Sequence, residues 1–441
     1  MSPTDSDSQA TQSGMTRREV ILAGAAAPIL GVSMQQTIAA ETNAEAVGPI
    51  LGHVDHSTAM IWYRPESAGE YKATLTHPET GAVQSATAKS SPDNDLCLSW
   101  RFDGLQADSN YTYEITHQGR PVANADNQQI KMAPKVDQPA RTTLAMGSCA
   151  SSTEFFDVWL QIAKNNIDGL MLLGDTPYID STRLEVNRLR HRQFLSIPTL
   201  AELGASTPVW GTWDDHDFGG NDTDGKVGNK ETLRRVFREY RTQTEYGDGE
   251  HGVYTRFRRG PIEVFMIDPR YFSQTEPSPV DPDKPTCLGK TQWQWLQDGL
   301  RKSTAPFKVL ATGMIWDDKK NSEKDDWGTY SHEREALFDF IGENQIRGVV
   351  LVGGDIHVSR HLKYPMKERI GYDLHQFIIS PLHDRVIPSL NVPHPHLQWG
   401  VPLKNMFLTV TADTTGDEPT LDAHWIDRTG KVHRHVRITE V

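Results

Sequence analysis

The chain has 441 residues, of which 37% are hydrophobic and 23% charged, and a formal net charge of −13. That length exceeds one core of ordinary size, so two domains are expected, with the composition of an ordinary soluble globular protein. The negative charge excludes a nucleic-acid backbone or an anionic membrane surface as a standing partner, and an anionic substrate would have to be attracted by metals and a few local arginines.

Residues 1–46 read as a leader rather than as fold. A polar stretch runs into Thr16-Arg17-Arg18, then the weakly apolar VILAGAAAPILGVSM, then small residues including Ala44-Glu45-Ala46. This is the pattern of a twin-arginine export signal with a cleavage region, so the twin-arginine machinery is the expected partner and the periplasm or the exterior the expected location. The apolar run is too short and too rich in Ala and Gly for stable membrane insertion.

Residues 47–135 alternate apolar and polar side chains in TAMIWYRP, YKATLT, LCLSWRF and YTYEIT, with turn residues between, which predicts a fibronectin type III-like β-sandwich. In LCLSWRF the apolar face holds the even positions, so Cys97 points away from its own core. A disulfide between Cys97 and Cys287 across the domains is one account of the three cysteines, and isolated thiols are the other. MAPKVDQPAR is the linker. From 141 to 441 strands alternate with helical stretches such as TEFFDVWLQIAKNN and ETLRRVFREYRTQTEY, the signature of an α/β domain. Its later part holds HQFIIS, NMFLTVTAD and LDAHWID as strands, with IPSLNVPHPHLQWG as a loop carrying His394 and His396.

Four short apolar runs, TTLAMGSC, GLMLLGDTPY, VWGTWDDHDFGGND and GVVLVGGDIH, each read as a buried parallel strand that stops at Gly and polar residues. Their ends carry Cys149, Asp175, Tyr178, Asn221, Asp355 and His357. Ligands of α/β sheets bind at strand carboxyl ends, so residues about 200 positions apart are expected to share one site. Thiolate, phenolate, carboxylate and imidazole together suit a strongly Lewis-acidic transition metal, and the phenolate favours ferric iron over zinc. Asn and Asp offer only oxygen, which suits calcium, magnesium or manganese. With Asp175 bridging, this is a two-metal site of the kind that clamps a phosphate ester and supplies hydroxide near neutral pH.

In this order and spacing, GSC at Gly147–Cys149, GDTPY at Gly174–Tyr178, WDDHDFGGND at Trp213–Asp222, LGKTQWQWLQDGL at Leu288–Leu300, DDWGTYSHER at Asp325–Arg334 and GGDIH at Gly353–His357 resemble the alkaline phosphatase D (PhoD-like) branch of the calcineurin-like metallophosphoesterases. The resemblance runs from about residue 47 to the C-terminus and implies a four-layer αββα sandwich behind the N-terminal β-sandwich. It implies Fe3+ held by Cys149, Asp175, Tyr178 and His357, and Ca2+ held by Asp175, Asn221 and Asp355, with Mn2+, Mg2+ or Zn2+ as alternatives at the second position. Two departures stand out. Gly220 precedes Asn221 where a bulkier Asn is usual, and Trp327-Gly328-Thr329-Tyr330 lacks the family's Asp, so a carboxylate for a further cation must come from Asp325 or Asp326.

The implied activity is hydrolysis of small phosphate esters, with a phosphodiesterase or phospholipase-like activity, or a non-catalytic calcium-binding envelope protein, as the other readings. Asp214, Asp215 and Asp217 around His216 would repel one another without a cation nearby, although Asp is also common in turns and caps. Asp215 and His216 are the catalytic candidates of this run, His216 as proton donor to the leaving alkoxide or as an orienting histidine. Arg183 and Arg270 follow strand ends and are placed either to grip phosphate or to pair with local carboxylates. A nucleotide-binding loop is excluded because Val227 follows Gly225-Lys226 where Ser or Thr is required, and the absence of GxSxG leaves acyl transfer without a nucleophile.

Overall fold

The structure is a computed structural model that describes residues 45–122, 128–152, 157–317 and 325–439. The twin-arginine segment lies outside the described residues. Glu45–Val441 gathers into one compact unit.

Two antiparallel sheets open the described chain. One pairs Val47–Val54, Ala59–Arg64 and Leu98–Phe102 in that order. The other runs Val83–Ser90, Gly69–Thr76, Asn110–His117 and Arg120–Pro121, with Gln129–Lys131 also on Asn110–His117. Period-two alternation sends Ile61, Tyr63, Leu98 and Trp100 of the first, and Tyr71, Leu75, Tyr113 and Ile115 of the second, into one core. This is the expected β-sandwich.

Behind it, two larger sheets pack face to face. The first orders Val209–Thr212, Gly169–Leu173, Arg141–Gly147, Met406–Asp413, Thr420–Asp427 and Val432–Ile438; its first three strands are parallel and the rest antiparallel. The second orders Thr255–Arg259, Ile262–Met266, Phe307–Ala311, Val349–Gly353, Leu374–Ile378, Ser359–Tyr364 and Leu397–Val401, with a parallel centre from Ile262–Met266 to Leu374–Ile378. Leu144, Met146, Met171 and Leu173 of the first sheet meet Val264, Met266, Val309, Val350 and Val352 of the second in the central core. Residues of the opposite parity face helices: Ala145, Leu170 and Leu172 on one side, and Phe265, Leu310 and Leu351 on the other. Both faces of each parallel strand are thus buried, which is why these runs read as continuously apolar. Helix Lys230–Tyr240 shows the complementary rule, burying Leu233, Val236, Phe237 and Tyr240 at helical spacing.

One sequence expectation is corrected here, and one open alternative is resolved. The stretch read as a loop, 387–400, runs into the strand Leu397–Val401, which pairs with Ser359–Tyr364 because an otherwise open edge was available to it. Cys97 and Cys287 are both free and buried. Cys97 does leave its own sandwich core, but it enters a core shared with the first large sheet, whereas Cys287 packs in the outer layer over the second.

That shared core joins Val47, Ile50 and Trp62 to Leu170, Phe194, Leu200, Leu203 and Tyr240. Trp62 Nε1 donates to the Glu239 carbonyl at 2.8 Å, Tyr113 Oη donates to the Ala205 carbonyl at 2.7 Å, and Arg259 Nη1 donates to the Val54 carbonyl at 2.8 Å. Buried apolar contact with satisfied polar groups makes the sandwich part of the larger core's stability. Trp62→Ala is expected to cost about 3–5 kcal/mol and to destabilise both parts in one urea transition followed by tryptophan fluorescence. A separate early transition of the sandwich alone would contradict this coupling.

Candidate metal centre

The strand ends of both large sheets meet at one place. Cys149 follows Arg141–Gly147, Asp175 and Tyr178 follow Gly169–Leu173, Asp214 to Asp217 follow Val209–Thr212, and Asp355 and His357 follow Val349–Gly353. Cys149, Asp175, Asp355 and His357 all hold left-handed backbone conformations, with φ of 55°, 53°, 66° and 54°. Each such non-glycine residue costs of order 1–3 kcal/mol and persists only where its surroundings impose it, a cost concentrated at functional sites. Gly174, at φ 95°, allows a close approach: a Cβ there would lie 2.5 Å from Asp214 Cβ and 2.7 Å from the Asp214 amide nitrogen.

Four groups of donors follow one another across the site, each with ligand atoms within 4.8 Å of one another: Cys149, Asp175 and His357; Asp175, Asp215 and His216; Asp214, Asp215 and Asp355; and Asp215, Asp222 and Asp325. Asp175 links the first two and Asp215 the last three. Cys149 is fully buried, its Sγ 3.5 Å from Asp175 Oδ2 and accepting from Ser380 Oγ at 3.1 Å. Burial pushes its thiol up to about 11, against the pull of Ser380, Tyr178 and Ser148. Burial, then Cys149 and the neighbouring aspartates, holds the Asp175 carboxyl well above the usual carboxylate range.

Tyr178 Oη lies 2.8 Å from His357 Nε2, so both donor atoms point to one spot. His357 Nδ1 faces the Arg385 carbonyl at 2.8 Å, which assigns the proton to Nδ1 and leaves the Nε2 lone pair for a ligand. Burial lowers the His357 pKa, which keeps the ring neutral. His383 stacks on the Tyr178 ring at 5.3 Å with an interplanar angle of 11°, and His216 contacts the same ring at 4.6 Å.

The aspartate run forms one helical turn, Asp215–Phe218. Asp217 accepts from the Asp214 amide and, at 3.3 Å, from the Thr176 amide, and burial pushes its carboxyl up to about 7. Asp215 accepts from the His216 amide at 2.9 Å and the Asp222 amide at 2.7 Å. His216 Nδ1 contacts Asp180 Oδ1 at 2.5 Å, while the His216 carbonyl accepts from the amides of Ile179 and Asp180.

The other candidates are distributed around this core. Asp325 joins a donor group, whereas Asp326 accepts from the Thr329 amide at 3.1 Å and belongs to none of the four groups. Asn221 is exposed on the turn between Gly220 and Asp222. Arg183 is exposed at the N-terminus of helix Leu184–Leu195. Arg270 is buried, its Nε donating to Asp214 Oδ1 at 2.5 Å and Nη1 to the Thr223 carbonyl at 3.3 Å. His394 is paired with Asp317 at 3.0 Å.

Sequence reasoning placed Asp214 near a cation without naming it a ligand, and assigned no role to Asp180, Asp222, Ser380, His383 or Arg385. Asp214 and Asp222 lay inside the quoted WDDHDFGGND, and Ser380 to Arg385 follow the strand end of HQFIIS, so the strand-end rule itself was the available signal.

The donor chemistry fits metal ions. Asp175 Oδ1 and Asp214 Oδ2 are buried and have no hydrogen-bond partner, a costly state for carboxylate oxygens unless a cation meets them. Two face-to-face sheets with such donors at their strand ends define a metal-centred αββα protein. Comparison with known proteins narrows the class: the family profile of PhoD-like phosphatases matches residues 144–433, and the chain belongs to that family. Alkaline phosphatase D of Bacillus subtilis (strain 168) is 26% identical over 331 residues, a match spanning 63% of this chain and 56% of that protein. A solved structure of PhoD shares the fold at a TM-score of 0.70 and 20% identity, over 88% of this chain and 91% of that one. The purple acid phosphatase PPD1 from yellow lupin (Lupinus luteus) seeds does so at 0.67 and 11% identity, over 90% of this chain and 74% of its own.

The close approach at Gly174 is directly checkable. Gly174→Ala is expected to lose at least about 1–2 kcal/mol from the left-handed backbone alone, with more from the contact with Asp214, read as a lowered Tm. An unchanged Tm would mean that the two strand ends are not in contact.

Proposed function

We propose that the protein is an exported, metal-dependent phosphoesterase of the alkaline phosphatase D type that releases phosphate from small phosphate esters. The observation that carries this reading is the unbroken series of donor groups from Cys149, Asp175 and His357 to Asp215, Asp222 and Asp325, which family membership alone does not supply. Export is supported by Arg17-Arg18 and the apolar run behind them. Among the described residues no helix is long and apolar enough to cross a membrane.

Cys149, Asp175, Tyr178 and His357 form a donor set for ferric iron, and Asp175, Asp214, Asp215, Asp355 and Asn221 offer oxygen for calcium or a similar hard cation. Ions held by these residues would neutralise phosphate oxygens and supply a nucleophilic oxygen near neutral pH. The protein's own part is orientation and proton transfer. Arg385 and Ser380 hold the ring and backbone of His357, and Ser380 also steadies the Cys149 sulfur. Asp180 accepts from His216 Nδ1 and so fixes a ring that lies beside Asp175 and Asp215, and Nε2 gives a proton to the departing ester oxygen. Arg183, exposed at the start of helix Leu184–Leu195, is the guanidinium that would meet an incoming anion before it reaches the ions.

Two experiments test this reading. The purified protein is expected to hydrolyse a chromogenic phosphate ester and to absorb in the visible through its iron–phenolate bond, and Tyr178→Phe should abolish the colour. A colourless, iron-free, fully active preparation would overturn the iron assignment. His216→Ala should slow esters with poor leaving groups by about 10²–10⁴-fold while sparing activated aryl esters. Equal losses for both substrate types, on metal-replete protein, would make His216 an orienting residue only.

A further inference from the structure

Arg270 is 1% exposed and lies among four carboxylates, yet its hydrogen bonds account for only part of that placement. Nε and Nη2 meet Asp214 Oδ1, and Nη1 reaches the Thr223 carbonyl on the turn that carries Asp222. Nη2 also lies 4.0 Å from Asp215 Oδ1 and 3.6 Å from Asp325 Oδ2, beyond hydrogen-bond length but well within the range of buried charge interaction. A single guanidinium nitrogen therefore stands between the oxygen group of Asp214, Asp215 and Asp355 and that of Asp215, Asp222 and Asp325. The guanidinium does not lose its proton in proteins, and the surrounding aspartates strengthen its hold on it.

We propose that Arg270 is a permanent cation of the metal centre, standing where a cation shared by Asp214, Asp215 and Asp325 would otherwise stand, so that the chain takes up one oxygen-liganded divalent ion rather than two. Asp214 divides its two oxygens accordingly. Oδ1 is given to Arg270, and Oδ2, buried and without a hydrogen-bond partner, is left for the one ion shared with Asp215 and Asp355. A second divalent ion at Asp215, Asp222 and Asp325 would meet the positive charge of Nη2 across the same carboxylates. The alternative role, a brace that merely holds Asp214 in place, needs the Nε hydrogen bond and the ion pair to Asp214 but not the approach to Asp215 and Asp325.

The inference rests on the proposed metal centre, and calcium stoichiometry separates the two. The iron-containing protein, freed of calcium by dialysis against a calcium-selective chelator, is titrated with Ca2+ by calorimetry and checked by elemental analysis. The expected count is one Ca2+ per wild-type chain, two for Arg270→Met, and one for Arg270→Lys, which keeps the charge and loses the fork. Two Ca2+ in the wild type or in Arg270→Lys would overturn the inference, as would a folded Arg270→Met that binds one or none. Should circular dichroism show Arg270→Met to be unfolded, the wild-type and Arg270→Lys counts decide alone. A wild-type chain that binds no metal at all would instead overturn the metal centre itself.

Discussion

Negative charge forced into the interior is the constraint on which this structure turns. Asp175, Asp214, Asp215 and Asp217 are all buried, beside a buried Cys149. Two like charges about 4 Å apart repel by roughly 4 kcal/mol at an effective dielectric near 20, and desolvation adds to that. Without compensation such groups take up protons, which is the direction in which burial and mutual repulsion push Asp175, Asp214 and Asp217. The folded chain sets the buried guanidinium of Arg270 beside Asp214 and Asp215, and leaves Asp175 Oδ1 and Asp214 Oδ2 without hydrogen-bond partners. A site built this way is complete only with cations in it.

The scaffold serves that concentration of charge. Strand-end residues forced into left-handed backbone need surroundings that do not yield, and the interior between the two sheets, packed with Val, Leu, Met and aromatic side chains, provides them. Glycine at 174 lets the ends of strands Gly169–Leu173 and Val209–Thr212 close on one another, bringing Asp175 beside Asp214. The N-terminal sandwich adds rigidity from outside through Trp62 and Ile50, which pack against the helices flanking the first sheet. Arg241, buried beside the same sheet, donates to the Thr176 carbonyl at 2.6 Å and so ties the turn between Asp175 and Tyr178 to this packing.

Much of the architecture was legible in the residues. Period-two alternation marked the sandwich, and unbroken apolar runs ending in Gly and polar residues marked the parallel strands, because burial on one face or on both leaves that imprint. The edge strand Leu397–Val401 was not legible, since a Pro- and His-rich stretch pairs only when a neighbouring edge is open to it. The choice between a disulfide and isolated thiols stayed open for a related reason: Cys97 does turn away from its own core, but nothing in the local pattern says which other layer receives it.

At the site, the sequence alone determined the donor types and the strand ends that carry them. Cys149, Asp175, Tyr178, Asp355 and His357 stand out because chemistry-bearing residues at strand ends are conspicuous against apolar runs. Only the tertiary structure decided which donors share a group, that Asp180 lies against His216, that Asp326 caps a turn while Asp325 faces Asp215 and Asp222, and that Arg270 is buried among carboxylates. The physical reason is one of distance. Side-chain type and local periodicity are properties of neighbours in the chain, whereas charge compensation and ligation act over a few ångströms between segments whose meeting is set by the packing of two sheets.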